Sequence, residues 1–270
     1  MAHCGPMQHV PFRHPFATSL AVASLALLSA CGGGGGNTPT PTSHSSSSSS
    51  SSNTSSDTST DTSSSGVASD GGITAGNAVF TSTLEPPTND ITTNDVATQD
   101  QNGITLHVNK AGGTYTYAGL AGGYSRIPQS MAVRVHVAMP SPASGIYYGI
   151  ACRGFGQNQQ YLLLSDAQGK WVIIQVNAGN QTVLKQGTAD GVDATQGVTV
   201  DAACVTPQSN DKMNHLVLAL NGKVVGVVDD SYENVAISNS FELFAISPDQ
   251  STGTGTVVFN RLTVYSASAA

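Results

Sequence analysis

From Ile73 onward the chain alternates apolar and polar residues over short runs separated by turn-forming residues. The clearest run is Met131 to Met139, where Met131, Val133, Val135, Val137 and Met139 fall on one face and Arg134 and His136 on the other. A period of two is the mark of a half-buried strand. Runs of the same kind cover Gly103–Val108, Gly145–Cys152, Gln160–Ser165, Lys170–Val176 and Val198–Cys204. They continue through His215–Leu220, Lys223–Val228, Phe241–Ile246 and Thr256–Tyr265. Asn221-Gly222 between two of them predicts a type I′ hairpin, which needs positive φ at both positions. Ala167-Gln168-Gly169 predicts a second hairpin turn. Many strands at short spacing, with no helical periodicity and no repeat of propeller or solenoid period, predict an all-β antiparallel sandwich or jelly roll.

The first 30 residues follow a different pattern. His9, Arg13 and His14 precede an apolar stretch from Ala17 to Ala30, ending Leu28-Ser29-Ala30-Cys31. Fourteen residues are too few to cross a ~30 Å hydrocarbon core as a helix, but they suit a secretory h-region. The four terminal residues resemble a bacterial lipobox. That resemblance implies cleavage before Cys31, a diacylglycerol on its sulfur and a fatty acyl group such as palmitate on its amine. Gly32 after the cysteine is compatible with sorting to the outer membrane of a two-membrane bacterium. An ordinary cleaved signal peptide fits less well, because Leu28 would hold a small-residue position.

Residues 32–72 are almost wholly Gly, Ser and Thr with some Pro and Asp, and offer little apolar surface to offset backbone ordering. The expected organisation is a signal peptide over 1–30, an anchored Cys31 with a disordered tether to residue 72, and a folded domain over 73–270. A tether of roughly 40 residues has an r.m.s. reach of about 35 Å.

Composition narrows the partners. Charged residues make up only 10% of the chain, and the net charge is -7. The cations are scattered, so phosphate-neutralising clusters of the kind nucleic acid requires are absent from the sequence. The expected membrane link is therefore the lipid at Cys31 rather than a basic surface. Cys4 leaves with the signal peptide and Cys31 is acylated, so Cys152 and Cys204 remain. An exported compartment permits a disulfide between them, the alternative being two buried thiols.

The series Gly149-Ile150-Ala151-Cys152-Arg153, Tyr161-Leu162-Leu163-Leu164 and Gly169-Lys170-Trp171-Val172-Ile173-Ile174 is followed by Cys204, Leu220-Asn221-Gly222 and Val258-Phe259-Asn260. That order resembles bacterial exported domains with the concanavalin A-like (laminin G/glucanase) jelly roll, over roughly residues 130–265. The resemblance implies a Cys152–Cys204 disulfide. Members of the fold include sugar-binding modules, glycosidases and domains without known activity, so it leaves function open.

Candidate chemistry is sparse. The chain has three glutamates, Glu85, Glu233 and Glu242, and lacks the Glu-x-Asp-x-x-Glu strand of the glucanase branch. Asp229-Asp230-Ser231-Tyr232-Glu233 reads as the solvated end of a hairpin strand. His107, His136 and His215 stand singly, each as an outward strand residue rather than a zinc ligand. No motif implies a cofactor. A lectin-like calcium site would draw on Asp229, Asp230 or Asn260. No Gly-x-Ser-x-Gly elbow occurs in the domain. No residue is assigned a catalytic role.

Glycan recognition would use exposed aromatics beside hydrogen-bonding side chains. Tyr124 and Phe155, in Gly-rich segments beside Arg126 and Arg153, are the expected ligand-binding residues. Trp171 is expected to pack in the core. The first reading is thus a non-catalytic envelope lipoprotein binding glycan or another envelope partner. A structural, protein-binding lipoprotein is the second, and a glycoside hydrolase with an unrecognised carboxylate pair the third.

Overall fold

A computed structural model describes residues 71–85, 91–93, 97–108, 115–120, 127–141, 145–152, 159–207, 212–231, 240–247 and 254–270. The expected signal peptide, the Cys31 anchor and the tether up to residue 70 lie outside the described residues, as do Tyr124, Arg126, Arg153 and Phe155.

The described chain is all-β. Its first strands are β1 (Ile73–Ser82), β2 (Ile91–Thr93), β3 (Ala97–Asp100), β4 (Gly103–Val108) and β5 (Tyr115–Leu120). Next come β6 (Met131–Ala138), β7 (Tyr147–Cys152), β8 (Gln159–Asp166), β9 (Lys170–Asn177) and β10 (Asn180–Thr188). The chain closes with β11 (Val198–Val205), β12 (Met213–Leu220), β13 (Lys223–Ser231), β14 (Phe241–Ile246) and β15 (Gly255–Ala269). One sheet has the order β13-β12-β11-β6-β15-β4-β3, with β1 also paired to β15. The other has the order β10-β9-β8-β7-β14-β5-β2. All the pairings are antiparallel. The expected jelly-roll sandwich is the fold.

Between the sheets lies the core foreseen from the alternation of β6. Met131, Val133, Val135 and Val137 meet Tyr148, Ile150, Leu163, Ile173 and Leu243 of the facing sheet. Trp171 belongs to it at 7% exposure. Added Cβ atoms at Gly187 and Gly226 would both come within 2.7 Å of its indole, so two glycines bracket the ring. Asn221 and Gly222 have φ of 50° and 79°, the positive pair that a type I′ turn requires. At the other hairpin, Asp166 Oδ1 accepts from the amides of Gln168 (2.9 Å) and Lys170 (2.8 Å), and Gly169 has φ of 80°.

Both sheets also bury apolar residues on the side away from the central core. On the seven-stranded sheet these are Ala151, Leu162, Leu164, Val172, Val176 and Phe244. On the eight-stranded sheet they are Ile73, Ala132, Ala203, Val205 and Val217.

Cys152 and Cys204 form a disulfide, which ties the end of β7 to the end of β11 across the sandwich, with their Cα atoms 6.6 Å apart. At this end β5, β7, β9, β11 and β13 finish and β6, β8, β12 and β14 begin. Ile73 pairs with Ala269, so the chain enters the domain at the same end.

Candidate functional site

Strand β14 lies between β5 and β7. Glu242 on β14 is register-paired with Gly119 of β5 and Ala151 of β7, both small residues. Along β14, Phe241, Leu243 and Ala245 point into the central core, so Glu242 and Phe244 point to the outer face. There Glu242 has Ala151 beside it and Phe244 two residues on, with Leu162 and Ile174 at the same level on the strands beyond. Burial pushes the Glu242 carboxyl pKa up. Its Oε2 is buried and has no hydrogen-bond partner among the described residues. A buried polar atom left unpaired costs free energy; Thr206 Oγ1, Asn214 Oδ1 and Asn260 Oδ1 share that state among the described residues, and Glu242 Oε2 is the one of the four on an ionisable group.

Connectivity links this carboxylate to the residues read from the sequence. Gly119 is the penultimate residue of β5, whose outgoing segment carries Tyr124 and Arg126. Ala151 is the penultimate residue of β7, whose outgoing segment carries Arg153 and Phe155. All four lie outside the described residues, yet the strands that deliver them flank Glu242 on either side. Tyr147, also on β7, packs partly buried against the same outer cluster, and burial followed by Asp166 raises its phenol pKa.

A second polar group lies between the sheets at the same end. Asp230 Oδ2 accepts from Tyr161 Oη (2.7 Å) and Gln175 Nε2 (2.7 Å), and Asn214 Nδ2 donates to Tyr161 Oη (3.2 Å). Burial first, then the bond to Asp230, raises the Tyr161 phenol pKa. Asp230 is therefore a structural acceptor turned inward, not part of a solvated strand end. Asp229 faces the other way, its side chain 59% exposed, and bonds His215. Tyr232 and Glu233 lie outside the described residues.

The remaining polar candidates stay apart. Asn260 is paired with His136 on β6, away from the Asp229–Asp230 end of β13. His136, on the outer side of β6, has its pKa lowered by burial and by the nearby Arg261. His107 is exposed and lies 3.4 Å from Thr98 Oγ1. Among the described residues no three His, Cys, Asp or Glu side chains come together as metal ligands. Glu242 itself escaped the sequence reading. One polar residue in Phe-Glu-Leu-Phe-Ala-Ile looks like an ordinary solvent-facing strand position, and only the apolar cluster around it marks it as different.

No protein-family model matches the chain, and no curated protein matches it. Among solved structures it is similar to the carbohydrate-binding module CBM66 from Bacillus subtilis. The TM-score is 0.48 and the identity 13%, with 67% of this chain and 98% of that one covered. It is also similar to the metal-free carbohydrate recognition domain of Emp46p, with TM-score 0.45, 11% identity and coverage of 70% and 95%. A third likeness is to the GH43 protein BlXynB from Bacillus licheniformis, with TM-score 0.48 and 12% identity. It covers 69% of this chain but 39% of that one. With TM-scores below 0.5, the functional reading rests on this chain's own residues.

Proposed function

We propose that this chain is an exported lipoprotein, held in the cell envelope by acylated Cys31, whose sandwich is a non-catalytic glycan-binding module. The observation that carries the binding reading is the buried carboxylate oxygen of Glu242 on an apolar sheet face, without a hydrogen-bond partner among the described residues. It stands at the roots of the two segments bearing Tyr124, Arg126, Arg153 and Phe155. Sugar rings present apolar C–H faces edged with hydroxyl donors. A carboxylate acceptor beside aliphatic and aromatic side chains suits both features, as in other largely apolar sites with few polar groups. The proposed lipid anchor rests on the resemblance of Leu28–Cys31 to a lipobox, and Gly32 is compatible with outer-membrane sorting if the cell has two membranes.

The test is a binding screen of the full chain against peptidoglycan fragments and a glycan panel, with wild type, Glu242→Gln and Tyr124→Ala compared. Saturable binding weakened about tenfold or more in both variants supports the site, as loss of a hydrogen bond to a charged group is worth roughly 1.5–3 kcal/mol. Binding that survives both substitutions places the ligand elsewhere. No binding to any glycan removes the reading. For the anchor, intact-mass analysis of membrane fractions should show acylation that disappears in Cys31→Ala.

The outer edge of β10 supports a second reading, a protein partner. This strand pairs with β9 on one side, and its Val183 is 42% exposed. An added strand from an envelope protein could pair there.

A further inference from the structure

Both ring nitrogens of His215 face hydrogen-bond acceptors. Nδ1 lies 2.6 Å from Asp229 Oδ1 on the neighbouring β13, and Nε2 lies 2.6 Å from the backbone carbonyl oxygen of Gly71. A carbonyl oxygen can only accept, and so can an ionised carboxylate. A neutral imidazole has a single N–H and can serve only one of them, whereas an imidazolium donates to both. Only the charged ring would satisfy both acceptors at once.

The second acceptor belongs to the point where the chain enters the folded domain. Gly71 sits directly on Val217, and a Cβ there would come within 2.6 Å of Val217 Cγ1, so the backbone lies flat on the sheet. Gly72 lies beside the His215 ring, and its carbonyl accepts from the amide of Ala270 at 2.9 Å. Ile73 then covers Ala132, Ala203, Val205 and Val217 on the outer face of the eight-stranded sheet. On the β11 side the residue opposite His215 is Val205, on the β13 side it is Asp229, and Gly71 and Gly72, the described part of the incoming segment, offer only backbone. Among the described residues the polar groups facing the ring are therefore Asp229 and the Gly71 carbonyl.

We propose that His215 is a proton-dependent latch. As imidazolium it clamps Gly71–Ile73 onto the eight-stranded sheet; on losing a proton it keeps one bond and loosens the entry of the chain.

The experiment is NMR on the full chain, reading the His215 ring nitrogens and the protection factor of the Ala270 amide between about pH 5 and pH 8, where histidines titrate. Both nitrogens should carry protons at the acid end. Protection at Ala270 should fall about tenfold as the ring becomes neutral, in step with its titration. Asp229→Asn separates the latch from mere packing. Its amide can donate to Nδ1, so a neutral ring can still donate from Nε2 to Gly71, and protection should stay at the acid-form level throughout. His215→Gln should hold protection at the loosened level at every pH. A singly protonated ring throughout the range, flat Ala270 protection in the wild type, or unchanged pH dependence in Asp229→Asn would each overturn the proposal.

Discussion

Arg134 and Asp201 face each other across β6 and β11, with Arg134 Nε donating to Asp201 Oδ1 at 2.8 Å and the carboxylate wholly buried. Burial raises the Asp201 pKa, outweighing the hydrogen bond and charge of Arg134 that act to lower it. The pair lies on the outer side of the eight-stranded sheet, so it ties two central strands together without entering the core. Arg134→Ala leaves a buried carboxylate without its cation and should cost roughly 3–5 kcal/mol at neutral pH. A carboxylate whose pKa is raised by folding favours the native state below its unfolded range. That contribution is lost as pH rises through the folded value. The variant's deficit in urea denaturation should therefore shrink toward pH 3 to 4, where Asp201 is protonated, roughly its unfolded titration range.

Glu242→Gln should stabilise the protein. The Glu242 pKa is raised by burial alone, so the native state pays for ionising it once the pH exceeds the folded value. The amide removes that cost, and a gain on the order of 1 kcal/mol is expected at pH 7. Thermal unfolding should show the gain vanish in acid, where wild-type Glu242 is already neutral. A gain at pH 7 alongside weaker ligand binding is the signature of a site that trades stability for function.

Reduction of the disulfide, or the paired Cys152→Ser and Cys204→Ser substitutions, should lower stability by about 2–4 kcal/mol in the chain-entropy view. The two residues are 52 apart in sequence, so the bond closes a long loop in the unfolded chain. Denaturation midpoints with and without reductant give the measurement. The Cys→Ser double variant should be indifferent to reductant.

Gly226→Ala should push the Trp171 indole, since the added Cβ would come within 2.7 Å of the ring. Overpacking of this kind costs roughly 1–3 kcal/mol. Trp171 is the one tryptophan of the chain, so its fluorescence reports the shift directly. Gly187→Ala, from the opposite side of the ring, should give a change of similar size. An unchanged spectrum in both variants would show that the ring has room to move.

How much of this was legible in the sequence depended on whether a strand buries one face or two. Met131 to Met139 alternates because its outer side carries Arg134 and His136, and β6 runs where that pattern placed it. Tyr161 to Leu164 does not alternate, because Tyr161 and Leu163 enter the central core while Leu162 and Leu164 join the outer cluster. A run like that reveals a strand but hides its second buried face. β10 was missed for the opposite reason: it is exposed along most of its length, so Asn180–Thr188 has no apolar rhythm to read. β1 was missed because what holds it is its pairing with β15, nearly 200 residues away, and local pattern carries no trace of that register. The same limit hid His215, whose isolated position says nothing of a contact with Gly71, 144 residues away. The site suffered most. Its carboxylate gains meaning only from Gly119 and Ala151 on either side, and neither contact can be counted along the chain.

The chain enters the sandwich at the end where β5 and β7 finish, beside the strands that deliver Tyr124 and Phe155. The point of entry and the strand ends that lead into the proposed binding segments thus share one end of the sandwich.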